Sequence, residues 1–500
     1  SHWKRLKLRE LKNLILGVTG VYLEASSEDP YANPGSEADI RIEAVNRSQW
    51  PVKILGYQLN SGSQSDRVVP LPHNQRVILE ASLTVPENHP DTAPYWLREA
   101  GSMGMYRVSN PALIGKPETP PAFHCIAHID FNGKVIPFLI PVVHRYSEPD
   151  KGELYRAFDI VPRLTASFEN SVELFPSDHP REVQLTVKSQ AESASGSVSL
   201  DLPPGWSARP EAYDFDLEGK GDEQVFQFTL FPPPGESQGF VAPRVVSEGQ
   251  IYTREMVTIE YEHIPTQTVL MPAALKVVRL DVKKSGQHIG YVMGAGDEIP
   301  KNLEAVGYTV HPLELQQLTP DILRDLDALV LGIRAYNVLD DLPYKTGVML
   351  DYVREGGTLV VQYNTSGRGP RDFSQLAPYP LQLSRDRVSD EAAPVKILQP
   401  RHPLMTFPNE IGPEDFEGWV QERGLYFPNQ WDPAFTPLLS MSDPGEDAKQ
   451  GALLVAPYGK GHYIYTGLSF FRELPAGVPG AFKLLSNMLS IGEAPTQGRP

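Results

Sequence analysis

A chain of 500 residues is too long for one core, and at about 100 to 200 residues per domain it should divide into three or four. A formal net charge of −17, with no dense Lys/Arg stripe to offset it, excludes nucleic acid as an expected partner. No segment approaches the roughly 18 uninterrupted apolar residues of a membrane helix, and the lone cysteine, Cys125, leaves neither an internal disulfide nor a cysteine-built zinc site.

The chain opens on Ser1-His2, which reads as the remnant of tag removal in front of an excised segment, so an upstream domain and any export signal are expected outside these residues. From Lys4 to Leu16, Leu6, Leu8, Leu11, Leu14 and Ile15 recur near helical spacing with basic residues between them, predicting one amphipathic helix over residues 1–20. Its basic face suits a membrane surface, but docking on the protein is the commoner arrangement and is the one expected.

Forty-eight prolines and forty glycines, spread along the chain, fit many short strands joined by turns. Residues 21–149 alternate with period two. In Ala38 to Val45 the residues Ala38, Ile40, Ile42 and Ala44 should share one face, so a first β-sandwich is expected here. Asp150-Lys151-Gly152-Glu153 reads as a linker, after which alternation resumes over 150–270 as a second sandwich. Within it, LDLPPGWSARP, Leu200 to Pro210, followed by a strand running into Pro232-Pro233-Pro234, resembles the sandwich module found beside α-galactosidases. Trp206 should plug one end of that sandwich.

Residues 271–492 change rhythm. Strands His288 to Met293, Tyr308 to Pro312, Leu326 to Leu331 and Thr358 to Gln362 alternate with helices Ile299 to Val306 and Tyr344 to Glu355, which predicts βαβ units and a parallel sheet. Gly451 to Val455, Gly461 to Thr466 and a closing helix from Ala481 to Leu489 complete it. The expected fold class is thus multidomain: two β-sandwich modules, then a three-layer α/β domain of flavodoxin-like type.

Open parallel sheets hold ligands at the carboxyl ends of their strands. Arg334, Asn337, Gln362, Tyr363, Asn364, Trp431 and His462 are the candidate ligand-binding residues at such a mouth, where amides and rings suit a hydroxyl-rich sugar. The competing reading is that they satisfy loop backbones and pack between domains. Gly294-Ala295-Gly296 begins like a dinucleotide fingerprint, but Ile299 replaces the third glycine, and Asp297 instead suits a helix start. His124 and His128 share a strand face without an evident third ligand, and in Asn88-His89-Pro90-Asp91-Thr92 a base and a ligand are missing, so no metal site is expected.

DLDALVLGIRAYN, EGGTLVVQYN, RHPLMTFPNEI and GKGHYIYTGLSFFREL together resemble the ThuA-like branch of the class I glutamine amidotransferase-like superfamily. That resemblance implies a nucleophilic cysteine directly after the Thr358 to Gln362 strand. This chain has Tyr363-Asn364-Thr365 there, and neither amide nor phenol can be activated like a thiolate, so glutaminase chemistry and catalytic residues are not expected.

KLRELKNLILGVTGVYLEA, PGSEADIRIEAVNRS, APYWLRE, the LPPGW sandwich and the last domain, in that order, resemble the region C-terminal to the deacetylase domain in large bacterial PIG-L/LmbE family proteins. The resemblance implies an exported, extracytoplasmic protein and an upstream domain that deacetylates N-acetylated sugars. Zinc would belong to that upstream domain alone, so no cofactor is expected in these residues. The expected role is a non-catalytic accessory region that binds glycan or docks on its own deacetylase domain; the alternative is a ThuA-like sugar-active enzyme using the sheet mouth.

Overall fold

The computed structural model describes residues 2–102, 104–367 and 371–495. The helix runs over His2–Thr19, yet it contains no buried residue. Leu8, Leu11, Leu14 and Val18 are 46%, 52%, 60% and 78% exposed. Only Ile15 and Leu16 pack on the first β unit, helped by Lys12 Nζ, which donates to the Pro137 carbonyl at 2.6 Å. The expected docking is therefore confined to the second half of the helix: an apolar stripe specifies a helix face, not a surface to receive it. No described helix is long and apolar enough to cross a membrane.

The first β unit folds about one long strand, Lys134–Glu148. Its first half pairs with His124–Phe131, which pairs in turn with Val52–Leu59; its second half meets Val21–Ser27, leading to Glu37–Asn46 and Arg76–Thr84. One strand thus serves both layers. Ile40, Ile42, Ala44, Cys125, Ala127 and Ile129 are fully buried between them, as the alternation requires. Burial pushes the Cys125 thiol up to about 12, consistent with an inert core residue. The segment 150–153 is not a linker. Gly152–Ala157 returns antiparallel on the long strand, so the charged run is a hairpin turn and the first unit extends to about Ile160.

The second unit packs a four-stranded sheet on a six-stranded one. Trp206 lies in the core between them, edge-on to Phe175 with centroids 4.8 Å apart, and its indole N–H donates to Ser237 Oγ at 3.2 Å. Leu275–Arg279 pairs with Val172–Phe175 and with Ser237–Ser247. It therefore belongs to this unit and moves the expected boundary at 270 to about residue 280.

The last unit is built on a seven-stranded sheet whose strands we number within this unit: β1 (His288–Val292), β2 (Thr309–Pro312), β3 (Ala328–Leu331), β4 (Thr358–Gln362), β5 (Thr436–Pro437), β6 (Leu453–Tyr458) and β7 (Gly461–Thr466). Their order is β2-β1-β3-β4-β7-β6-β5, parallel from β2 to β7 and antiparallel beyond. Alternate residues enter opposite cores. Tyr291, Val330, Val360 and Ile464 pack with helices Ile299–Ala305 and Pro479–Ser490, whereas Leu329, Leu359, Val361 and Tyr463 pack with Pro320–Arg324 and Thr346–Glu355. The result is three layers, with Arg371–Asp372, Leu381–Val388 and Gly424–Trp431 forming a separate small sheet.

The joints between units differ. Leu174 and Val278 of the second unit belong to the same apolar cluster as Tyr291 and Leu485 of the third. First and second units meet across ion pairs, Lys220 with Asp29 at 2.9 Å and Arg254 with Asp91 at 3.1 Å.

Candidate functional site

Winding reverses between β1 and β3, which are neighbours although β2 intervenes in sequence, so the crevice above them is the geometric place for a ligand. Here the loops close on each other instead. Gly294 lies so near the Ile333 carbonyl that a Cβ would overlap its oxygen, and Ala295 N–H donates to the same oxygen at 2.8 Å. On the other side Arg334 N–H donates to the Tyr363 carbonyl at 2.8 Å.

Two candidate amides are consumed in this stitching. Asn364 is fully buried; its Oδ1 accepts from Tyr336 N–H at 3.0 Å and its Nδ2 donates to the Gln362 carbonyl at 3.0 Å. Asn337 and Thr365 exchange two bonds, Thr365 N–H to Oδ1 at 2.8 Å and Nδ2 to the Thr365 carbonyl at 3.2 Å. Both hold turns. In both, the amide oxygen and one amide N–H are engaged in the turn.

Beneath them lies a network that sequence reading missed. Tyr291, near the end of β1, donates its hydroxyl to the Asp297 carboxylate, 2.7 and 2.8 Å from the two oxygens, and accepts from Gln362 Nε2 at 3.0 Å. Burial raises the Asp297 carboxyl above its ordinary range, although Tyr291 and backbone N–H groups at Ile299 and Ile333 pull it back. Gln362 Oε1 is buried without a hydrogen-bond partner. The helix-start role expected of Asp297 is also present, since Ile299 N–H donates to Oδ1 at 3.1 Å.

Beside this network stands an aromatic shelf. Tyr363 is buried against Tyr426, centroids 6.1 Å apart and 9° from parallel, and against Phe471 at 5.5 Å. Arg472 covers the Phe471 ring at 4.8 Å and pairs with Glu422 at 2.9 Å, while the Arg334 side chain is exposed. Arg334 and Tyr426 both adopt the left-handed region, with φ 57° and 54°. Non-glycine residues held there cost on the order of 1 kcal/mol each and gather at functional sites. Nothing in the sequence marked Tyr426, because its positive φ belongs to an irregularity in the pairing of Gly424–Trp431 with Leu381–Val388; SFFREL was the visible clue to Phe471.

Two candidates lie elsewhere. His462 is opposite Thr358 at the amino end of β4, whereas the mouth residue Gln362 pairs with Thr466. It is therefore one sheet length away from the mouth, and the expected convergence fails for it. Burial lowers its imidazole, and its Nδ1 has no hydrogen-bond partner. Trp431 pairs with Leu381 in the separate small sheet and packs on the apolar cluster under β3, β4 and β6. It is a packing residue. Among the described residues no group of three or more His, Cys, Asp or Glu side chains is arranged to hold a metal ion.

No family model matches the chain, and no curated protein matches it. Among solved structures it is similar to a transglutaminase from red sea bream, at 11% identity over 53% of this chain and 33% of that one, with a TM-score of 0.25. An alpha-2-macroglobulin from Salmonella gives 8% identity, 53% and 17% coverage and a TM-score of 0.19. A Porphyromonas gingivalis protein of unknown function gives 11%, 52%, 98% and 0.13. The chain spans about a third of the transglutaminase and under a fifth of the macroglobulin. Likenesses this distant carry no functional argument.

Proposed function

We propose that this chain is the non-catalytic accessory region of an exported PIG-L/LmbE-type deacetylase, and that its last unit is a class I amidotransferase-like, ThuA-like domain that presents a glycan-binding shelf. Two features support the fold assignment. The parallel strands follow the order second-first-third-fourth-fifth that flavodoxin-like sheets share, and the turn after β4 carries Tyr363-Asn364 in place of a thiol. Three hydrogen bonds lock Asn364, which stands where the resemblance would place the thiol, and this supports a non-catalytic reading of the turn.

The observation that carries the binding role is the stack of Tyr363 on Tyr426, the latter held at positive φ, beside the exposed Arg334. An aromatic face takes the apolar side of a pyranose, and a guanidinium donates to its hydroxyls. A glycan array probed with the whole chain should give binding that Tyr426→Ala and Arg334→Ala each weaken by about tenfold or more. Wild-type binding unchanged by both substitutions would remove the shelf as the site.

A sugar-active enzyme is the second reading, and one observation favours it: Asp297 is a partly exposed carboxyl with a raised pKa, held by a phenol at the switch point. Turnover of a sugar substrate that Asp297→Asn abolishes would select this reading over the first.

A further inference from the structure

We infer that the His2–Thr19 helix is a membrane-surface anchor, lying in the headgroup plane of an anionic lipid bilayer. Leu11, Leu14 and Val18, spaced three and four apart, form one stripe that the protein leaves exposed, and Trp3 stands 67% exposed on the same side two turns earlier. Ile15 and Leu16 face the first β unit instead, so the docked side and the bare side of this helix are different. Lys12 Nζ rests on the Pro137 carbonyl, and Val135 and Leu139, two residues to either side of Pro137, are 50% and 63% exposed. Bare apolar surface therefore continues from the helix on to the strand beside it, and a contiguous patch of this kind marks an interaction surface.

Charge identifies the occupant. The helix carries five basic side chains, Lys4, Arg5, Lys7, Arg9 and Lys12, against one acidic, Glu10, in a chain whose net charge is −17. Arg5 and Arg9, four residues apart, share an exposed face. A second copy meeting this helix through the same face would set like charges against each other, and an apolar protein groove would leave the basic side chains without a counter-charge. An anionic bilayer answers both needs: acyl chains take the stripe and phosphates take the lysines and arginines. Trp3 suits that boundary, with an apolar ring and a polar N–H. Lys4 and Lys7 interrupt the stripe in its first half, where their long stems carry the ammonium groups up to the phosphates. The helix is not apolar enough to cross the bilayer, so it lies on it. The acidic remainder of the chain is repelled by the same lipid, and screening over about 8 Å in physiological salt lets the helix end alone approach.

This anchor is independent of the aromatic shelf, which lies in the third unit. Flotation of the whole chain with vesicles of phosphatidylglycerol and phosphatidylcholine in equal parts should carry the protein up the gradient, with partitioning at least about tenfold weaker on to pure phosphatidylcholine. Added salt should weaken the partitioning. Leu11→Gln with Leu14→Gln, and separately Arg5→Gln with Arg9→Gln, should each reduce it by about tenfold or more. Glutamine keeps a high helix propensity, and unchanged circular dichroism and melting temperatures would show that helix and fold are intact. No partitioning on to the anionic vesicles, equal partitioning on to both vesicle types, or indifference to both pairs of substitutions overturns the inference. Concentration-dependent dimerisation in sedimentation velocity that the leucine pair abolishes, without vesicle binding, would overturn it in favour of a second copy. None of these outcomes affects glycan binding at the shelf, so the two readings fail separately.

Discussion

Glu473 shows how much one side chain can be made to carry. It is fully buried; Oε2 accepts from Val420 N–H at 2.9 Å, and Oε1 has no hydrogen-bond partner. Burial pushes its carboxyl up from 4.5 to about 8, against the opposing pull of Val420 N–H and of Arg423, whose guanidinium donates to the carbonyls of Ala393 and Phe416. The folded state therefore holds the proton more tightly than the unfolded state. The resulting stabilisation is complete below the unfolded value and is lost as pH rises from about 4.5 to about 8. Denaturation at a series of pH values should show the block formed by the second and third units weakening through this window by up to about 5 kcal/mol, and Glu473→Gln should flatten the profile. An unchanged slope in the variant would mean that Glu473 is ionised in the folded protein.

At the scale of elements, the loops after β1 and β3 are the most constrained part of the mouth. Gly294→Ala would drive a methyl group into the Ile333 carbonyl, which is backbone and cannot swing aside. Thermal unfolding should register a loss of about 3 kcal/mol in the transition that the second and third units share, with the first β unit unaffected. The strands themselves were legible in the sequence. Period two in Ala38 to Ala44 predicted a face that is fully buried from Ile40 onward, and continuous apolar runs predicted β3 and β4. Relations between elements were not. Asp150 to Glu153 carries the same signals whether a chain leaves a domain or turns back on itself, and pairing with Lys134–Glu148 decides it. Which end of β7 carries His462 depends on register, and the Tyr291–Asp297–Gln362 network joins residues that only the sheet order brings together. Helical spacing identified the His2–Thr19 helix but could not say that only its second half would find a partner.

Across the whole molecule, the two joints obey different physics. The second and third units share one apolar cluster, reinforced by Lys276 Nζ donating to the Ala476 carbonyl at 2.7 Å and by Lys483 paired with Glu236 at 2.9 Å. They should melt as a single cooperative block. Calorimetry of residues 162–495 alone should reproduce that transition, whereas residues 162–280 alone, with Leu174 and Val278 exposed, should melt lower. Matching transitions for the two fragments would show that the shared cluster does not couple the units.

The joint between the first and second units is polar, its ion pairs standing beside hydrogen bonds such as Gln267 Nε2 to Glu118 at 2.8 Å and Arg156 to Thr268 at 3.3 Å, and charge answers to solvent. Partly exposed pairs such as Lys220–Asp29 weaken as ionic strength shortens the Debye length, to about 3 Å at 1 M, while an apolar contact is indifferent or strengthened. Brine should thus swing the leading unit away from a trailing pair that stays rigid, and small-angle scattering would see the molecule lengthen at one hinge only.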